Sequence, residues 1–131
     1  MRLLLDTHVA LWAIVDDPPL PKRAADLIAD AANVIAVNAA SVWEITIKHA
    51  LNRGRATDMP ISGPQALIYF RDAGYEMLAI DGEQAAAVQA LPDLHRDPFD
   101  RLIVAQTQHE PLRLITHDVQ VRAYSDAILL M

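Results

Sequence analysis

The sequence predicts an α/β fold with a central parallel sheet of four to five strands and helices on both of its faces. Two observations carry this expectation. Short apolar runs alternate along the whole chain with longer segments of helical composition, and that alternation implies crossover connections between parallel strands. The strand candidates are also near-continuous in Leu, Ile and Val, as buried parallel strands are. No internal repeat, linker or low-complexity stretch divides the 131 residues, so a single domain over 1–131 is expected.

Arg2-Leu3-Leu4-Leu5-Asp6 is a short apolar run ending in an acid, which suits a buried central strand. His8 to Val15 reads as a helix, broken by Asp17-Pro18-Pro19-Leu20-Pro21. Lys22 to Ala32 has helical composition, Val34-Ile35-Ala36-Val37 strand composition, and Asn38 to Arg53 forms a long helix stopped by Gly54. After a turn-rich loop from Thr57 to Gly63, a helix is expected from Pro64 to Ala73 with Gly74 as its stop. A third strand follows at Glu76 to Ile80. Asp81 then caps a helix from Gly82 to Leu91, with Gln84 as its capping-box partner. Pro98 to His109 is helical, Arg113 to Thr116 a fourth strand, Val119 to Ala123 a helical turn, and Ala127 to Leu130 an edge strand.

Composition narrows the function. There is no cysteine, so disulfides and thiolate metal sites are excluded. No apolar stretch approaches the length of a membrane span and no signal peptide is visible, so a cytoplasmic location is expected. The net charge of −6 is the wrong sign for a general nucleic-acid coat protein, whose affinity comes from neutralised phosphates. Clustered carboxylates that recruit cations, or a basic protein partner, reconcile that charge with a nucleic-acid substrate.

The placement of acids is the informative feature. Asp6 ends the first strand, Asp118 follows the fourth, Glu44 lies in the first half of the helix after the second strand, and Asp100 opens the helix at Pro98. All four fall at the carboxyl edge of the sheet, where open parallel sheets keep their functional crevice. Four converging carboxylates repel one another unless hard cations lie between them. Oxygen ligands without Cys favour Mg²⁺ or Mn²⁺, and such ions activate water for phosphodiester hydrolysis. Each acid also has a plainer explanation. Asp6 can start a turn, Asp118 can cap the turn after it, and Glu44 and Lys48 have the spacing of a solvated helix pair. Asp97-Pro98-Phe99-Asp100 reads as a helix cap, a proline in the first turn and an acid behind it.

Among the other polar residues, Thr7 and Thr116 flank candidate acids and can orient them, with turn hydrogen bonding as the alternative. Lys48, Arg53 and Arg55 are the candidates for RNA phosphate contacts. His8 and His95 are placed near the acidic edge in structural roles, and Trp12 and Trp43 in the core. The five histidines show no zinc-ligand spacing.

Four segments in register resemble the VapC-like branch of the PIN-domain proteins: Asp6-Thr7-His8 with Leu11-Trp12; Ser41 to Ile45 with Ile47-Lys48; His95 to Ile103 with Ala105-Gln106; and Thr116-His117-Asp118. The resemblance covers nearly the whole chain and implies an α/β/α sandwich that holds Mg²⁺ or Mn²⁺ on acidic residues. By matching positions, Asp6 and Asp100 would be the most direct ligands, Glu44 and Asp118 would complete the shell, and Asp97 would remain a cap. It implies further a toxin that hydrolyses RNA, tRNA or rRNA being typical, as a homodimer silenced by a cognate antitoxin. No acid of the pattern is missing. The alternative is a catalytically silent PIN-fold subunit that sequesters a partner. A phosphoacceptor receiver domain is disfavoured because Lys48 is the last lysine in the chain.

Overall fold

The computed structural model describes residues 1–15 and 19–131. Five strands, β1 (Arg2–Leu5), β2 (Val34–Asn38), β3 (Glu76–Leu78), β4 (Arg113–Thr116) and β5 (Leu129–Leu130), form one sheet in the order β3-β2-β1-β4-β5 with every neighbouring pair parallel. The chain therefore builds outward from β1 through β2 to β3, then crosses back to lay β4 and β5 on the other side. The switch falls between β1 and β4, and the groove it leaves at their carboxyl ends is where such sheets bind ligands.

The central strand explains the layering. Leu3, Leu4 and Leu5 are all fully buried, and alternation sends them to opposite faces. Leu3 and Leu5 join Ile35, Val37 and Ile115 in one core, closed by α1 (Thr7–Ile14), α3 (Ala39–Ala50) and α4 (Gly63–Asp72) through Val9, Ile45 and Phe70. Leu4 joins Ala36 and Leu114 in the other, closed chiefly by α6 (Pro98–Thr107) through Ile103, Val104 and Ala105, with Val121 of α7 (Val119–Arg122). Leu27 and Ile28 of α2 (Lys22–Ala29) lie against the first core. This is the expected α/β/α arrangement, with five strands.

Several boundaries differ from expectation. The long helix ends at Ala50 rather than Arg53, with Leu51 as its last capping position, and Gly54 instead takes a positive φ of 75° in the loop beyond. Asp58 organises that loop by accepting the N–H groups of Arg53 and Arg55 at 3.0 and 2.8 Å, so the residues after Ala50 have a competing set of bonds. The third strand stops at Leu78. The helix that Asp81 and Gln84 cap, α5 (Gly82–Ala87), tightens into a 3₁₀ turn at Val88–Ala90 before Leu91. Gly74 ends α4 with a φ of 80°, as expected. Of the proline-rich break after α1, residues 16–18 lie outside the described residues; Pro19 to Pro21 is not helical. None of the described helices is long and apolar enough to cross a membrane.

Candidate metal centre

Asp6 leaves β1 and becomes the N-cap of α1. Its Oδ1 accepts the Val9 N–H at 2.9 Å and its Oδ2 accepts the Thr116 hydroxyl at 2.5 Å. The carboxylate is nearly inaccessible, at 4% exposure. Burial pushes its pKa up, against the hydrogen bonds from Thr116, Val9 and His117 and the charge of His8. Thr116 ends β4 and also accepts the Asp118 N–H at 3.1 Å, so a single hydroxyl ties the ends of the two central strands together. Asp118 caps α7 through Oδ1, which accepts the Gln120 N–H at 2.8 Å, and turns Oδ2 to His95. Partial burial raises the Asp118 pKa, but the Gln120 N–H and His95 outweigh it and hold the group below its ordinary value.

The α6 N-terminus supplies the third acid. Asp97 caps it by accepting the N–H groups of Phe99 and Asp100 at 2.9 and 3.2 Å, with Pro98 at the first helical position. This aims Asp100 at the switch groove. Burial raises the Asp100 pKa most, followed by the charges of Asp97, Asp6 and Glu44. His95 opposes them, and the carboxyl is pushed up to about 7. That three other acids act on Asp100 shows how closely the negative charges gather.

His95 sits between Asp100 and Asp118. Its Nε2 lies 3.1 Å from Asp100 Oδ2 and 2.9 Å from Asp118 Oδ2, while Nδ1 accepts the Asp97 N–H at 3.2 Å. Because Nδ1 is an acceptor, the ring proton belongs on Nε2, facing the two carboxylates. One polar atom from each of these three residues lies within 4.8 Å of the others; with its proton on Nε2, His95 bridges the two carboxylates as a donor and leaves cation ligation to their oxygens. The sequence reading left His95 out of the cluster. Its signal lay in Asp97: the cap turns the chain so that a histidine two residues earlier meets the acid three residues later.

Glu44 comes from α3, whose start is fixed by Asn38, a fully buried cap that accepts the Ala40 N–H at 2.6 Å and bonds to Gln106. Glu44 is buried at 2% exposure. Its Oε2 pairs with Lys48 at 2.5 Å and its Oε1 has no hydrogen-bond partner. An unpartnered buried carboxylate oxygen is costly, and a cation or its water satisfies it. Together with the carboxylate oxygens of Asp6, Asp100 and Asp118, this makes the residues fit a divalent ion.

The remaining candidates divide. Lys48 is brought to the acids by its bond to Glu44. Thr7 donates to Ser41 Oγ at 2.9 Å, which ties α1 to α3. Arg53 and Arg55 stay exposed on the loop that Asp58 organises. His8 is exposed beside Asp6, where it lines a cleft shared with Trp12. Trp43 departs from expectation: it is 60% exposed, with its ring edge-on to Phe99 at 5.3 Å, because the buried stripe of α3 runs through Ala40, Ser41, Glu44 and Ile45. Trp12 is only half-buried and is a cleft wall rather than core.

Fold and site together define an α/β domain with an acidic cluster, suited to a divalent cation, at the switch point of a parallel sheet. The family model of the PIN domain matches residues 3–127, and the chain belongs to that family. No curated protein matches it in sequence. Solved structures share its fold over essentially the full length. A chain in the structure of VapBC2 from Rickettsia felis bound to a promoter DNA fragment is 16% identical, with a TM-score of 0.67, and the match covers 100% of this chain and 98% of that one. One in FitAcB from Neisseria gonorrhoeae is 19% identical at 0.61, covering 100% and 97%. One in VapBC-5, of the VapBC toxin-antitoxin family from Mycobacterium tuberculosis, is 20% identical at 0.60, covering 99% and 98%.

Proposed function

We propose that this PIN-domain protein is a Mg²⁺- or Mn²⁺-dependent endoribonuclease and the toxin of a toxin–antitoxin pair. The observation that carries the reading is the clustering of acids around Asp100, with Asp118 and His95 beside it and the charges of Asp6 and Glu44 acting on it. Family membership and the VapBC and FitAB fold neighbours support it. Asp6 and Asp100 would hold the ion most directly, with Asp118 and the free Oε1 of Glu44 completing the shell, while His95 orients Asp100 and Asp118 through its Nε2–H. A bound divalent ion supplies activation of water and neutralisation of charge on the phosphodiester. Asp6 is fixed by two hydrogen bonds and cannot swing away, so it orients the groups around it. Lys48, held by Glu44, would offer a cation to an incoming phosphate. Hydrolysis would be direct, with no covalent protein intermediate. The substrate class is tRNA or rRNA, the partner a cognate antitoxin whose basic segments suit a −6 chain, and the working unit a homodimer.

The test is 5′-end mapping of cellular RNA after induction of the wild type, Asp6→Asn or Asp100→Asn. New ends at a few sites with wild type alone would establish the nuclease and name its RNA. Identical ends from all three folded proteins would overturn the reading and leave a partner-binding subunit.

A further inference from the structure

Beside the acids the structure opens a cleft of about 430 Å³, lined by Asp6, His8, Trp12, His117, Asp118 and Val119. That size lies within the range of small-ligand sites, roughly 300–1,000 Å³. Its polar end is the metal centre itself, because Asp6 and Asp118 belong to both. The rest is aromatic and apolar. The His117 ring stands edge-on to Trp12 at 5.0 Å and 73°, and the His8 ring is tilted against it at 6.1 Å. His117 is fixed through Nδ1, which donates to the Met131 carbonyl at 2.5 Å, and Val119 is 68% exposed at the rim. Trp12 in turn rides on a helix capped by Asp6 and anchored by buried Val9, Ala10 and Leu11.

We propose that this cleft receives one nucleobase of a single-stranded RNA, the base beside the scissile phosphodiester, stacked on Trp12. The inference rests on the nuclease reading and adds to it the cleft that seats the base and its anchoring residue. Three features favour a base as occupant. The cleft runs directly into the acids, so a base held there carries its own phosphate over the metal centre. Aromatic walls accept any base through its π face, and single-stranded RNA is bound in this way by unstacked bases on aromatic side chains. A net charge of −6 also gives little overall attraction for phosphates, so contacts to bases gain weight in holding RNA. A second cleft of about 330 Å³ starts from the same His8 and takes in Thr7, Glu44, Lys48 and the loop from Thr57 to Pro60, which continues the strand's path past the acids to the one lysine at the site.

The experiment uses Trp43→Phe protein, in which Trp12 is the only tryptophan, titrated in Mg²⁺ with a single-stranded RNA octamer and with an abasic octamer of equal length. Saturable quenching of Trp12 fluorescence by the base-bearing RNA, and not by the abasic one, is the expected result. In parallel, Trp12→Ala should weaken binding of the labelled octamer by roughly tenfold, and Trp12→Phe should restore most of it. Equal quenching by both octamers, or equal affinity of folded Trp12→Ala and wild type, overturns the proposal. The two readings fail separately. Base-dependent quenching without RNA cleavage by wild type upholds the cleft and sinks the nuclease. Cleavage with no dependence of binding on Trp12 sinks the cleft alone.

Discussion

At the scale of single residues, helix capping falls on the same side chains as the proposed metal site. Asp6 and Asp118 each give one oxygen to a helix N-terminus and keep the other for Thr116 or His95. Capping and the proposed metal role are therefore compatible on these acids rather than alternatives, which sequence alone had no means of showing. Asp100 differs, because no cap uses its carboxylate and its neighbours are mostly negative. Its pKa of about 7 in the folded protein stands against an ordinary value of 3.8. Below about pH 4 both states hold the proton and the site costs nothing. As pH rises toward 7 the folded state retains a proton that the unfolded chain has released, so stability falls through that window and the loss is complete above it. Asp6, also raised by burial, acts in the same direction. Asp118 is lowered and acts oppositely, losing its contribution only as the solution turns strongly acidic. Thermal unfolding in EDTA should thus show a melting temperature that declines from pH 5 to pH 7.5. Asp100→Asn should flatten that decline and melt higher than wild type at pH 7.5 while losing all cleavage. A wild-type melting temperature that rises over the same range would contradict the assignment of Asp100 as a strained acid.

At the scale of elements, the site depends on where α3 and α6 begin. The cap at Asp97 was legible because Asp-Pro-x-Asp has a direct physical meaning. The start of α3 was expected at Asn38, which the structure makes its cap, whereas the far end was misjudged by three residues. Helix ends are set by competing local bonds, here those of Asp58, which composition does not reveal. Exposure of Trp43 was likewise hidden, since only the packing partner decides which stripe of an apolar helix is buried. Two substitutions probe this level. Asp97→Ala removes the acceptor for two N–H groups and should cost about 1 kcal/mol of stability, whereas Asp97→Asn should keep most of the cap. Asp97→Asn also removes a charge that raises the Asp100 pKa, so it should move the stability decline to lower pH. Gly63 opens α4 against α3, and a Cβ there would lie 1.7 Å from Thr46 Oγ1. Gly63→Ala should destabilise by roughly 1–3 kcal/mol in chemical denaturation, and adding Thr46→Ala should recover part of it. If Gly63→Ala is neutral, the α3–α4 approach is looser than described.

At the scale of the whole molecule, the alternation of strands and helices made the parallel sheet legible, but not its order. Only the observed β3-β2-β1-β4-β5 arrangement explains why acids separated by up to 112 positions in sequence, Asp6 and Asp118, share one Thr116 hydroxyl. The acids gathered near the switch point repel one another, as the raised pKa of Asp100 reflects, and the one lysine nearby, Lys48, is already paired with Glu44. Stability and metal binding must then be linked. A ligand bound only by the native state stabilises it by RT ln(1 + [L]/Kd), about 2.7 kcal/mol at a hundredfold excess over Kd. For a chain of this size that corresponds to a rise in melting temperature of roughly 10 °C. Mn²⁺ or Mg²⁺ should produce a saturable rise of this order at pH 7.5. The rise should shrink toward pH 5.5, because the proton on Asp100 competes with the ion, and metal binding near pH 7 should release protons to the buffer. Asp100→Asn should abolish most of the shift, while monovalent salt at equal ionic strength should reproduce little of it, since screening acts weakly on buried charges. A rise of equal size with NaCl would mean that the groove needs only diffuse counterions and holds no specific ion.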